Sequence, residues 1–516
     1  MSQVIEYIND VKTAWQRISY GASPFGGSFN ADNARDFEIQ KLQLETANGK
    51  KLYDITEMVL EFQYHESIES SFLRCDISIL DAIDWNKNLQ GGEKVKIKMV
   101  TGTAIRGDHL DCELTVYKIG SISKTERGQL YILHCVSPEM YHDESNKIFK
   151  SLGPGEKSKD VENIPKYICD EFLKTKGTNK ANKYNFENHS KYTFIACSWK
   201  PSDAIHYLSD KVTRLTNSKG GAKQSGFLFW SNRNGFNFRS IDSIAKGEAT
   251  RNGVYTYTYV QGAQEGADKR YAIETLTYPD KANHLSNMRM GTYKTAAIGI
   301  SLASQKDSYT PTSGKKKEAA PNESVDAVGF DQETGQFSGT GLSSAPSGTI
   351  SALKVLNFQQ VFAKANKVVD GNDETRGNQA QPPFLIPEFF DIEASQPTRM
   401  KIRALPGMKN QSSNANVDNG SSPNIDSIAV AQYAAARYNL FKAIKLNLTV
   451  AGNTALTAGN VIDVKIPSST EEDEEVLLDY RFSGKYIIAG LTHIYQKTGL
   501  TTKLYLVRDS VPKQEA

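Results

Sequence analysis

A chain of 516 residues has room for three or four domains with their own cores. Its hydrophobic fraction of 39%, charged fraction of 23% and net charge of +2 are those of an ordinary globular protein. That balance excludes the basic footprint of a nucleic-acid binder, although a lumen or groove of one sign could hide inside it. In chain order, Val4, Ile8, Val11, Trp15 and Ile18 recur at helical spacing and predict an amphipathic helix over residues 2–18, docked on another subunit or on its own module. A Gly/Ser/Pro-rich linker over 20–30 separates it from the first β module, placed at 36–142. There Leu60-Phe62-Tyr64, Leu73-Cys75-Ile77-Ile79 and Leu110-Cys112-Leu114-Val116 alternate with polar residues, the signature of short antiparallel strands with one buried face.

From about residue 143 the period changes. Ser158 and Asp160 are capping candidates ahead of Val161, Ile164, Ile168 and Phe172, with Pro165 in the first turn. Trp199-Lys200-Pro201 opens a second helix with Ile205, Leu208 and Val212 on one face. Phe227, Phe229, Trp230, Phe236 and Phe238 then flank Asn234-Gly235 as an aromatic β-hairpin. These elements predict a small α+β domain over 143–250. The aromatic set reads as a helix-covered core, because both hairpin strands bear it, and not as a base-stacking platform.

A second module is predicted over 251–303 and 425–510, beginning with the alternation of Tyr255, Tyr257 and Tyr259. It is interrupted by residues 304–424, whose Gly/Ser/Pro/Asn/Lys composition buries too little apolar surface to fold alone. Inside that loop-rich insertion, 350–362 is read as helical, and Phe384, Leu385, Phe389 and Phe390 form an apolar island suited to a partner. Asp426 or Ser427 caps an alanine-rich helix with Ile428, Ala431, Ala435 and Leu440, and residues 511–516 are a tail.

The two modules look like copies. Aligning Gly92 with Gly459 sets Val95 on Ile462, Ile97 on Val464 and Met99 on Ile466, and a hairpin follows each. A duplicated module is what a three-fold oligomer needs in order to present a near six-fold ring.

No chemistry emerges. There is no HxxH or HExxH zinc spacing, no phosphate-binding glycine loop and no nucleophile elbow, so no catalytic residue, cofactor or metal is expected. The five cysteines contain no CxxC pair and read as reduced thiols, with Cys75, Cys112 and Cys135 as small buried hydrophobes. No leader sequence and no run of the roughly 18 apolar residues of a membrane span is present, so assembly in a cytoplasm is expected. Glu471, Glu472, Asp473, Glu474 and Glu475 form an acidic loop. The bland reading, a solvated loop, is favoured; the alternative faces a lumen or a basic partner. Lys315-Lys316-Lys317 is read as solvated.

Trp199-Lys-Pro-Ser-Asp-Ala-Ile-His-Tyr-Leu, Gly226-Phe-Leu-Phe-Trp, Gly235-Phe-Asn-Phe-Arg-Ser-Ile-Asp, Gly459-Asn-Val-Ile-Asp-Val and Ser483-Gly-Lys-Tyr-Ile-Ile resemble, in order and spacing, the baseplate hub proteins of contractile-tailed bacteriophages of T-even and marine myovirus type. The likeness spans most of 36–510 outside the insertion. It implies a mainly β chain with α+β parts, in which two tail-tube-like antiparallel barrels form the structural core. It further implies a non-enzymatic homotrimer that adapts the six-fold tail tube to a trimeric central spike. Tube-initiating proteins would bind the other side, and a channel would pass the tape-measure protein and then DNA without sequence-specific contact. A virion location in the tail baseplate follows. The N-terminal helix and the 304–424 insertion depart from the T-even pattern and are assigned contacts with wedge or other hub proteins. The alternatives are the spike-head protein of a type VI secretion or related injection system and, with less support, a hub with a fused peptidoglycan hydrolase. The chain's end soon after its last strand favours a separate spike.

Overall fold

The computed structural model describes residues 37–49, 51–101, 109–125, 128–153, 163–175, 184–215, 225–250, 254–259, 269–279, 283–300, 329–330, 337–338, 352–357, 380–381, 399–404, 427–468, 478–479 and 481–512. The first β-rich stretch supplies β1 (Phe37–Glu45), β2 (Leu52–Asp54), β3 (Val59–Ser67), β4 (Arg74–Asp81), β5 (Lys94–Thr101), β6 (His109–Thr125) and β7 (Gly128–Val136). The α+β part follows with α1 (Pro138–Ser145), β8 (Ile148–Leu152), α2 (Ile164–Glu171), β9 (Tyr184–Phe186), β10 (Phe194–Trp199), α3 (Pro201–Ser209), β11 (Phe227–Asn232), β12 (Gly235–Ser240) and α4 (Ile241–Ala245). Then come β13 (Tyr255–Tyr259), β14 (Ala272–Thr277), α5 (His284–Met290), β15 (Lys294–Ile300), β16 (Gly329–Phe330), β17 (Phe337–Ser338), β18 (Ala352–Asn357), β19 (Ala380–Gln381) and β20 (Arg399–Ala404). The chain closes with α6 (Ser427–Phe441), β21 (Ile444–Ala451), β22 (Val461–Lys465), β23 (Gly484–Gln496), β24 (Gly499–Arg508) and β25 (Val511–Pro512).

Thirteen strands make one sheet, in the order β2-β1-β5-β6-β7-β4-β3-β23-β22-β13-β14-β21-β24. Because β23 also pairs with β24, the last six close into a barrel. The first module repeats that order strand for strand. Its β1, β3, β4, β5, β6 and β7 take the places of β13, β14, β21, β22, β23 and β24, so β1-β5-β6-β7-β4-β3 mirrors β13-β22-β23-β24-β21-β14. The one difference of direction is β13, which runs parallel to both β22 and β14, whereas β1 is antiparallel to β5.

The correspondence reaches single residues. Val95 pairs with Leu114, and Ile462 with Tyr486. A bulge skips Tyr117 in the β6–β7 ladder and Ala489 in the β23–β24 ladder. Another skips Leu60 opposite β4 and Glu274 opposite β21. Gly92 and Gly459, at φ 90° and 91°, introduce β5 and β22. Gly92 N–H donates to the Val116 carbonyl and Val116 N–H to that of Glu93, while Gly459 N–H donates to Ile488 and Ile488 N–H to Asn460. Glycine is required at both because an L side chain rarely adopts that conformation. Such agreement down to bulges makes duplication the economical account, since bulges are built features of a strand.

In the α+β part, Phe227 stacks on Phe238 (4.9 Å, 23°) and Phe229 on Phe236 (5.8 Å, 4°), beneath Ile164, Ile168, Ile205 and Leu208 of α2 and α3. The aromatic hairpin is therefore core. Its connection is Arg233–Asn234, with Asn232 paired to Gly235, one residue earlier than the Asn-Gly pair suggests. The α2 cap is Asn163, whose side chain accepts from Lys166 N–H; Ser158 and Asp160 lie outside the described residues. Residues 352–357, expected as helix, are instead strand β18, paired with β15, which also pairs with β20. Cross-strand partners override local pattern there. Helix α6 is as expected, but more of it is covered than one apolar stripe requires, including Arg437.

Candidate assembly site at the module seam

The thirteen side chains singled out from sequence, namely Val4, Ile8, Val11, Trp15, Phe384, Leu385, Phe389, Phe390 and the five acids Glu471, Glu472, Asp473, Glu474 and Glu475, lie outside the described residues. Lys315-Lys316-Lys317 does too. Among the described residues no group of three or more His, Cys, Asp or Glu is placed to hold a metal ion, and no helix is long and apolar enough to cross a membrane. Four of the five cysteines are buried thiols, and Cys197 is exposed. The site that the fold does build is a joint.

That joint is the antiparallel ladder in which Glu61–Ser67 of β3 pair with Gly490–Gln496 of β23. It runs the first module's sheet into the second's. At thirteen residues β23 is long enough for two tasks: its first half pairs with β22 and its second half with β3. Tyr495 and Leu500 from the β23–β24 hairpin lie in the first module's core, while Leu491 and Leu504 lie in the second's. Across the ladder Tyr495 stacks on Phe62 (4.9 Å, 19°) and His493 lies parallel to Tyr64 (6.1 Å, 13°). His65 Nδ1 and Thr492 Oγ1 are 3.0 Å apart, and Gln496 Nε2 donates to Glu61 (2.9 Å).

At one end of the ladder sits a buried carboxylate. Glu66 Oε1 accepts from the Tyr64 hydroxyl (2.9 Å) and Arg233 N–H (2.7 Å), and Oε2 accepts from Ala458 N–H (2.9 Å). Burial raises the Glu66 pKa above the usual glutamate value, and these three donors, with the Arg233 charge, pull the other way. Arg233 also donates to the carbonyls of His109 (2.7 Å) and Ala455 (3.2 Å). The tip of the aromatic hairpin thus clamps both modules. Beside it Trp230 Nε1 donates to the Ala458 carbonyl (3.1 Å), and the indole packs on Gly459, where a Cβ would come within 2.6 Å of Cζ2. Burial, with a smaller contribution from Arg233, pushes the His493 imidazole down to about 3, so it is neutral near pH 7. This is a structural joint, its main-chain ladder and its buried carboxylate bonded within the chain.

Sequence reasoning passed over this joint, yet one signal was there. In β3 the inward phase is Phe62, Tyr64, Glu66, and a glutamate on the buried phase of an alternating strand needs partners.

One further polar network ties the α+β part and α6 to the second module, and another lies within that module. Arg437 Nη2 donates to Asp242 (3.1 Å), and its Nη1 lies 3.6 Å from Asp509, all three being fully buried. Arg508 donates to the Ser483 carbonyl (2.7 Å) and lies over the Tyr486 ring.

Solved structures that superpose on this chain do so at low similarity. The 43 kDa tail protein of prophage MuSo2 from Shewanella oneidensis is 11% identical, with a TM-score of 0.44 over 92% of this chain and 99% of that one. A tail protein from Neisseria meningitidis MC58 is 10% identical, TM-score 0.43, over 91% and 96%. The E. coli c3393 protein, a component of the type VI secretion system, is 9% identical, TM-score 0.36, over 93% and 77%. These neighbours are tail and secretion proteins. No family model matches the chain, and no curated protein matches it.

Proposed function

We propose that the chain is a structural hub protein of a contractile phage tail, working as a ring of three copies and not as an enzyme. The observation that carries this reading is the β3–β23 seam. Two copies of one module, fused edge to edge by a seven-residue ladder, offer two near-equivalent surfaces per chain. Three chains then present six, which is the match needed between a six-fold tube and a three-fold spike. Strand-edge pairing suits the task, because it joins neighbours through main-chain hydrogen bonds while hiding edges that would otherwise template aggregation. The motifs quoted above support the same assignment.

On this reading the ring's partners are a trimeric spike on one face and tube-initiating proteins on the other, with the tape-measure protein and then DNA passing through the middle. The N-terminal helix with Val4, Ile8, Val11 and Trp15, and the insertion with Phe384, Leu385, Phe389 and Phe390, contact wedge or other hub proteins. The acidic loop Glu471–Glu475 is solvated or faces the passage. Assembly takes place in the host cytoplasm and the product resides in the virion baseplate. Native mass spectrometry of the purified chain, alone and mixed with a candidate spike, tests the reading. Three chains per particle, taken up as one unit by the spike, are expected; a chain that stays monomeric in both conditions would falsify it.

A further inference from the structure

The two-stranded sheet β8–β10 of the α+β part is covered on one face only. Ile148 and Leu152 of β8 and Phe194 and Ala196 of β10 turn into the core that α2 and α3 share. The opposite face carries Phe149 across from Cys197 and Ser151 across from Ile195, and all four side chains are exposed. Phe149 is 80% exposed, the most of any large apolar side chain among the described residues, and its diagonal neighbour Ile195 is 66% exposed. By contrast β11 and β12 of the adjoining hairpin are buried almost throughout. We propose that this half-covered pair is a docking strip for another protein, which adds an extended acidic segment as a third strand beside β8.

Three observations select that occupant. The first is the main chain: β8 and β10 form a sheet of their own, and β8 has no second strand partner among the described residues. A strand edge of that kind accepts a further strand through its outward N–H and C=O groups. The second is the apolar pair. One exposed apolar side chain is ordinary, but two large ones side by side on adjacent strands mark a contact surface. The third is charge. Residues 146–153 and 190–200 contain Lys147, Lys150, Lys191 and Lys200 and no Asp or Glu. Glu144, the nearest acid along the chain, is bonded to Lys200 (2.6 Å), and Lys150 Nζ rests on the uncharged Tyr167 hydroxyl (2.5 Å). Lys147 and Lys150 thus bracket Phe149 with positive charge on its own strand. A segment that alternates apolar and acidic residues meets both demands, setting an apolar side chain against Phe149 and carboxylates near the lysines.

Cys197 is a built-in reporter, because it lies across from Phe149 and the other four thiols are buried. The test uses the full chain and a capped peptide that alternates valine with glutamate. Two comparison peptides accompany it: one alternates valine with lysine, and the other is the valine–glutamate peptide with N-methylated amides, which cannot pair through its main chain. The valine–glutamate peptide is expected to protect Cys197 from a maleimide, and neither comparison peptide is. Phe149→Ser is expected to weaken peptide binding about tenfold with thermal unfolding unchanged, since that side chain is exposed in the free protein. Lys147→Glu combined with Lys150→Glu is expected to switch the preference to the valine–lysine peptide. No protection by the valine–glutamate peptide overturns the docking. Equal protection by the two charged peptides overturns the acidic occupant, and equal protection by the N-methylated peptide overturns strand addition. None of these outcomes depends on how many chains the protein assembles with, so the docking strip and the ring fail separately.

Discussion

Gly92 and Gly459 share a backbone conformation and differ in what surrounds them, so the pair separates strain from clash. A Cβ at Gly92 meets only the Ala47 methyl, 3.8 Å away, whereas one at Gly459 runs into the Trp230 indole. Gly92→Ala is therefore expected to cost about 1 kcal/mol, the conformational part alone. Gly459→Ala adds displacement of a buried tryptophan whose N–H is committed to Ala458, and overpacking of that kind costs about 1–3 kcal/mol more. Urea midpoints of the two variants check the difference; equal losses would mean that Trp230 moves freely. His493 gives a pH signature at the same joint. Its imidazole is held down to about 3 by burial, so the folded state binds its proton later than the unfolded state does. The stability this group supplies is present above the unfolded value of 6.5 and is lost as the pH falls from there toward 3, at about 1.4 kcal/mol per unit. His493→Asn should unfold with a shallower acid dependence than the wild type between pH 6 and about 4.5. Parallel stability–pH curves would show that the ring protonates without opening the seam.

At the level of elements, the barrel strands were legible because each has one wet and one dry face, and period two is a local property. The hairpin expected after Gly459 is present as β23 and β24, which join at Lys497-Thr498. Even the repeat was legible, since Val95 and Ile462 occupy equivalent registers as the alignment of the two glycines required. What escaped was decided by partners distant in sequence. Ala352–Asn357 has no strong strand period of its own and becomes strand through β15. β13 runs parallel to two neighbours, a direction no local pattern encodes. The joint escaped for the same reason: Glu66, Arg233 and Ala458 are far apart along the chain, and only the fold makes them hydrogen-bond partners. Glu66 betrayed itself by its phase in β3, but the identity of its donors could not be read there.

At the scale of the whole molecule, the shared hairpin makes the two modules one folding unit. Tyr495 is rooted in a strand of the second barrel and packed in the core of the first, stacked on Phe62 and edge-on to Phe37 at 5.2 Å. A first module without β23 would lack that ring and expose the β3 edge. A chain of modules held only by linkers melts in steps, whereas modules that share core side chains melt together. Amide exchange along a denaturant series is therefore expected to lose protection in β4 and β21 at one midpoint. Tyr495→Ala removes a buried aromatic and should lower that midpoint by the equivalent of about 3–5 kcal/mol in both strands, not in β4 alone. Loss of protection in β4 with β21 still protected, in either the wild type or the variant, would show that the seam is an interface between independent domains. Coupled melting has a mechanical corollary: two modules that cannot loosen separately keep their strand edges at fixed spacing.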